Sequence, residues 1–172
     1  MVAVPEMPVS EPVAGAATGE AAVPASRAVA VAVSPMELLR PESDLARLII
    51  GFPQVELLVA ADDSRPDPED DHDQVGEELR ASAARLDLPG LALHRLGLPT
   101  PLPATAEGDL VAALSELVGF DPEPGVYCLA PVLAPADPAR TVVDRAVQRI
   151  ARVYGIPLLR YRCLELAVVT GV

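Results

Sequence analysis

Few side chains in this sequence are equipped for chemistry, and their positions narrow what it can do. There are two histidines, His72 and His94, and two cysteines, Cys128 and Cys163, in 172 residues. A metal centre built on several imidazoles would need both histidines. All 13 cationic residues are arginine, so a Schiff-base lysine and a phosphate-loop lysine are excluded. His72 lies in the stretch Asp62–Asp73, where seven acids and one arginine give a charge of −7 + 1 = −6, half of the total of −12. A charge run of this kind is usually a solvated loop. His72 with Asp62 or Asp63 would make a cation site of a new kind, and the spacing fits no EF-hand because no glycine stands at the sixth position. His94 alternates with Leu93 and reads as a rim or core residue. Cys128, between Tyr127 and Leu129, reads as a core thiol. No G-x-S-x-G elbow, no G-x-G-x-x-G loop and no Cys–His pair at useful spacing is present. Two cysteines are too few for a disulfide framework and suit a reducing compartment. The net charge of −12 argues against nucleic acid as a partner, since phosphate binding needs a basic face.

The elements that would position these residues alternate in kind. Residues 1–26 are rich in Ala, Val, Pro and Gly without a period and read as a disordered tail; residues 27–172 read as one domain. Ala28–Val33 is a continuous small apolar run, the pattern of a strand buried on both faces of a parallel sheet. Further strands are expected at Val55–Ala60, Leu91–Leu96, Gly125–Ala130, Leu158–Arg162 and Leu164–Val169. Helices are expected from Pro41 to Ile50, Gln74 to Leu86 and Asp109 to Val118. The strongest helix signal follows Asp137, a plausible N-cap with Pro138 in the first turn. There Val143, Ala146 or Val147, Ile150 and Tyr154 form the buried stripe, and Arg145, Arg149 and Arg152 dress the outer face, for solvent or for a partner or anion contact. Alternating strands and helices predict an α/β layered fold with a mostly parallel sheet. In such sheets ligands bind outside the carboxyl ends of the strands. Those ends are the loops Ser34–Arg40, Ala60–Asp73, Gly97–Pro103 and Pro131–Arg140. With only 3% aromatic residues and no Trp, the core must be aliphatic. No apolar run reaches the roughly 18–20 residues needed to span a bilayer. The N-terminus makes a poor signal peptide, because Glu6, Glu11 and Glu20 interrupt it, so a soluble cytoplasmic protein is expected.

These loops also carry a resemblance. Val31-Ala-Val-Ser-Pro-Met-Glu-Leu-Leu-Arg40, with Ser43–Leu48 and Val55–Val59 after it, resembles the start of the PIG-L/LmbE-like N-acetylglucosaminyl deacetylase family. Glu78–Leu86 with Leu93–Pro99, then Asp137–Arg140, Arg145–Val147 and Ile156–Tyr161, resemble its later helix, its "LGLP" loop and its last signature. The resemblance spans nearly all of residues 27–162 and rests on the order and spacing of elements. It implies a Rossmann-like three-layer sandwich. It also implies a zinc-dependent hydrolase that removes acyl groups from amino sugars, with a His-Pro-Asp-Asp-Glu signature after the first strand and a His-Pro-Asp-His signature opening a late helix.

The sequence departs from that pattern wherever the metal would be held. Met36 falls at the histidine, Leu38 at the base aspartate, Leu39 at the metal aspartate and Arg40 at the glutamate. In the second signature Asp137, Ala139 and Arg140 stand for His, Asp and the ligand His, and Thr100 stands for the Asp after "LGLP". Alkyl and thioether side chains do not replace carboxylate and imidazole on zinc. The expectation is therefore a catalytically inactive deacetylase-like subunit without the family zinc. Met36, Leu38, Leu39 and Arg140 are its degenerate counterparts, and it acts as a homo- or hetero-oligomer, with an intact deacetylase in a biosynthetic pathway as the partner. Two alternatives are a binder of small anionic metabolites, with Ser34, Arg40, Thr100, Asp137 and Arg140 as candidate ligand residues, and an active hydrolase whose metal site has moved.

Overall fold

The computed structural model describes residues 24–40, 43–62 and 73–162. Strand β1 (Arg27–Ala32) lies at the centre of a five-stranded sheet in the order β3-β2-β1-β4-β5, where β2 is Gln54–Ala61, β3 Leu91–Leu98, β4 Val126–Pro131 and β5 Leu158–Tyr161. Every described pairing is parallel, so the sheet is wholly rather than mostly parallel among the described residues. β1 pairs with β2 in the register Ala28↔Val55 and with β4 in the register Ala28↔Tyr127. The Ala/Val composition of β1 follows from this position. Small side chains on both faces let helices approach from either side, and Ala28 to Ala32 are all fully buried.

Helices cover both faces. On one side α1 (Met36–Leu39), α2 (Asp44–Ile49) and α3 (Gln74–Arg85) place Leu38, Leu45, Ile49 and Leu79 against Ala28, Ala30, Leu57 and Val59. On the other side α4 (Glu107–Val118) and α5 (Pro138–Tyr154) place Leu110, Leu114, Val143, Val147 and Ile150 against Val29, Val31, Leu58 and Cys128. This is the three-layer α/β sandwich that the alternating pattern predicts. The core is aliphatic, and its one aromatic ring pair is Phe52 with Tyr127, 5.7 Å apart. No helix among the described residues is long and apolar enough to cross a membrane.

The chain after β1 differs from expectation in one respect. The sequence pattern predicts a loop to Arg40 and a helix from Pro41. Instead a single helical turn, α1, forms first, and α2 starts at Asp44. Ser43 is the reason for the later start, because its hydroxyl accepts from the Ala46 amide at 3.1 Å and so caps the helix. Pro41 ends α1, because the residue before a proline is driven out of the helical region, and Arg40 is extended at φ −84°, ψ 113°. The expected strand Leu164–Val169 and the expected tail lie outside the described residues, except for Pro24–Ser26. There Ser26 donates its amide to the Gly125 carbonyl at 2.9 Å.

Charged contacts tie the start of the central strand to α4 and to its neighbours in the sheet. Arg27 reaches the carbonyls of Leu117 and Val118 at the end of α4, where a cation meets the negative end of the helix dipole. Glu56 lies 3.7 Å from Arg27 and accepts a 2.6 Å hydrogen bond from His94. His94 is thus a half-buried partner of a carboxylate on the outer strand β3, close to the rim position expected for it.

Candidate functional site

The chain leaves β1 toward β2 and β3 on one side, then returns to β4 and β5 on the other. The reversal opens a crevice beyond the carboxyl ends of β1 and β4, the usual binding position of an open parallel sheet. Two segments flank it: Val33–Arg40, which follows β1, and Val132–Arg140, which follows β4. Ser34, Met36, Arg40, Asp137 and Arg140 all belong to these two segments. Thr100 is exposed on the loop after β3, whose Leu102 and Ala106 are buried in the same cluster as Val142 and Val143 of α5. His72, Asp63 and Cys163 lie outside the described residues.

Glu37, which sequence reasoning passes over, is the hydrogen-bonding centre of the first segment. Its Oε2 accepts from the Val33 amide at 3.1 Å and from the Tyr161 hydroxyl at 2.7 Å, while that hydroxyl also contacts the Val31 carbonyl oxygen at 2.5 Å. Tyr161 is buried at the end of β5. One phenol therefore joins the turn after β1 to the far edge of the sheet. Removing only the hydroxyl leaves polar atoms of Val31 and Glu37 short of a partner in a dry place. Tyr161→Phe is expected to cost about 1–3 kcal/mol, read as a lower urea midpoint at unchanged m-value.

The second segment is organised by Asp137. Its Oδ1 accepts from the amides of Ala139 (3.0 Å) and Arg140 (3.3 Å), capping the 17-residue helix α5 as its sequence predicts. Its Oδ2 lies 3.2 Å from Arg140 Nε. Arg140 is only 8% exposed, so its guanidinium charge is offset from within the protein by Asp137. Asp137→Ala removes both the cap and this ion-pair partner. The cap alone is worth about 0.5–2 kcal/mol, so a loss near the upper end is expected, measurable as a fall in Tm of several degrees. One turn further along α5, buried Asp144 binds Arg160 of β5 at 2.7 Å and Gln148 at 2.6 Å. Sequence periodicity conceals this contact, because Asp144 falls beside the apolar stripe rather than outside it.

The positions at which the resemblance would place metal ligands do not fit zinc. Leu38 is 2% exposed and packs with Leu45 and Leu57 in the core, and Leu39 packs partly against the same cluster. Met36 is 52% exposed and offers a thioether, while Ala139 and Arg140 offer no donor suited to a divalent cation. Among the described residues no three His, Cys, Asp or Glu side chains form a group that could hold a metal ion. Cys128 is buried beneath α5, and burial pushes its thiol up to about 12, so the thiolate needed for nucleophilic attack is scarce at neutral pH. Exposed apolar side chains stand on both flanking segments instead, together with exposed Arg40. Besides Met36, Val132 and Leu133 are 39% and 43% exposed just after β4.

The fold defines a Rossmann-like α/β domain whose two switch-point segments carry the Glu37–Tyr161 hydrogen bond and the Asp137–Arg140 ion pair. No protein-family profile and no curated protein sequence matches the chain. In fold it is similar to a conserved protein from Thermus thermophilus, with a TM-score of 0.54 at 20% identity over 80% of this chain and 66% of that one. Two further solved structures also align. One is the N,N'-diacetylchitobiose deacetylase from Pyrococcus horikoshii (TM-score 0.48, 14% identity, 74% of this chain and 50% of that one). The other is the 4-carboxy-2-hydroxymuconate hydratase from Pseudomonas putida (0.47, 11%, 76% and 60%). The chain thus spans less than two thirds of the length of the latter two and 66% of the first.

Proposed function

We propose that this chain is a non-catalytic, deacetylase-like binding domain. Its crevice engages a protein partner, an intact amide-hydrolysing relative of the same architecture, and stabilises or regulates it. The observation that supports this reading is the exchange of chemistry at the crevice. Where the resemblance places a metal ligand and the base, the chain exposes Met36 and buries Leu38, and just after β4 it also exposes Val132 and Leu133. A contiguous apolar surface built from such side chains would be the usual mark of an interaction surface. The Glu37–Tyr161 hydrogen bond in one segment and the Asp137–Arg140 ion pair in the other keep each segment in one shape before binding.

The test is co-purification of the full chain with an intact deacetylase-like protein from the same source, together with metal analysis and an amide-hydrolysis assay of the chain alone. A stable complex weakened at least tenfold by Met36→Asp with Leu133→Asp supports the proposal. Stoichiometric zinc with turnover by the chain alone overturns it, as does a complex indifferent to those substitutions.

A further inference from the structure

A second concave site lies on the other side of Tyr161. Asp44, Arg47 and Leu48 of α2 face Arg160, Tyr161 and Arg162 at the end of β5, and together they line an open groove of about 400 Å³. That volume is in the range of small-molecule sites, roughly 300–1,000 Å³. The charge of the groove runs against that of the chain. With Arg160 paired to Asp144, the remaining Arg47, Arg162 and Asp44 give +2 − 1 = +1 locally, on a protein whose total is −12. Arginine in place of lysine carries no information here, because the chain has no lysine; the information is in the clustering. Arg160 alternates with Tyr161 along β5 and spends its guanidinium on Asp144 of α5 at 2.7 Å, on the opposite face of the sheet from α2. Arg47 and Arg162 are exposed, and neither has an ion pair or a side-chain hydrogen bond among the described residues. Two uncommitted forks suit an oxyanion with several acceptor oxygens, since the planar guanidinium matches phosphate and carboxylate in bidentate fashion. Leu48 adds an apolar wall.

We propose that this groove between α2 and β5 binds a small oxyanionic ligand, a phosphate ester or a di- or tricarboxylate, through Arg47 and Arg162. The site is separate from the partner surface of the crevice and stands whether or not that surface is used. Tyr161 is common to both, because its ring borders the groove while its hydroxyl holds Glu37 and Val31.

Calorimetric titration of the full chain with inorganic pyrophosphate and, separately, with citrate tests the proposal and separates the two ligand types. Saturable binding of at least one probe is expected, weakening as salt is raised because the contacts are charged and exposed. Arg47→Gln with Arg162→Gln is expected to weaken it by about tenfold or more, the scale of a lost charge-assisted hydrogen bond. Arg145→Gln with Arg149→Gln removes two exposed arginines from the outer face of α5 and should leave it within about twofold. Because Arg47 is exposed and carries no contact in the fold, Arg47→Gln alone serves as a well-folded check and should weaken binding in the same direction. Lack of saturation by either probe at millimolar concentration overturns the proposal. So does an equal loss in the control pair, which would show only a general response to net charge.

Discussion

Leu38→Asp is expected to lower stability by about 5 kcal/mol, enough to unfold much of a domain whose total is on the order of 5–15 kcal/mol. Two costs add. Leu38 is buried among Leu45, Ile49 and Leu57, so losing its side chain removes apolar contact and leaves space. The carboxylate then enters a place with no arranged donors. The size of this effect separates two readings of one position. In a metal hydrolase of the resembling family the residue here would be a carboxylate serving as the general base. In this chain the position has joined the core. Leu38→Met keeps volume and polarity and should cost under about 1.5 kcal/mol. The Asp penalty should shrink toward pH 4, because a protonated carboxyl is cheaper to bury than a charged one. Urea denaturation of both variants between pH 4 and pH 8 measures all three quantities. Full stability of Leu38→Asp, above all with zinc uptake by that variant, would put the side chain in the crevice and revive the metal reading.

What the sequence reveals and what it hides divide along the range of the interactions. Apolar runs such as Ala28–Val33 disclose buried parallel strands because their period is local, and Asp137-Pro138 discloses the start of α5 because a cap is written within four residues. The arginine face of α5 is legible for the same reason: Arg145, Arg149 and Arg152 are exposed at helical spacing. The crevice is legible only as a set of loops. Strand order decides which loops meet, and it depends on pairings such as Ala28 with Tyr127 that no local pattern encodes. Glu37 is the clearest loss. It sits between Met36 and Leu38 like any exposed acid, and its meaning comes from Tyr161, 124 residues away. The same holds for Asp144 with Arg160. The groove of Arg47 and Arg162 likewise joins a helix near one end of the chain to a strand near the other.

Arg95→Met is expected to cost about 2–4 kcal/mol, the second largest effect, for an electrostatic rather than a packing reason. Arg95 on β3 binds Asp62 at the end of β2 and, at 2.5 Å, Asp73 at the N-cap of α3. It thereby holds together the first and last residues of the acidic stretch that carries half the net charge. Asp62 is only 6% exposed, so the substitution strands a carboxylate in a poorly solvated place. Local geometry fits the contact: an added Cβ at Gly76 would lie 2.0 Å from Asp73 Oδ2 and 2.7 Å from Arg95 Nη1, so a larger residue there would push these side-chain ends aside. Removing the second charge as well should restore much of the loss, so Asp62→Leu with Arg95→Met is expected to be more stable than Arg95→Met alone. Asp73 supplies the pH signature. The hydrogen bond from Arg95, then that from the Gly76 amide, hold its carboxyl below the usual range. A carboxyl depressed in the folded state contributes stability that is fully present above its unfolded value near 4, and loses it as the pH falls through the lower folded value. Arg95→Met removes the larger cause, so its stability should fall less steeply than that of the wild type below about pH 4. Urea midpoints from pH 2.5 to pH 7 give both the offset and the slope. Parallel curves for the two proteins, or no recovery in the double variant, would show that Arg95 acts through packing of its stem rather than through its charge.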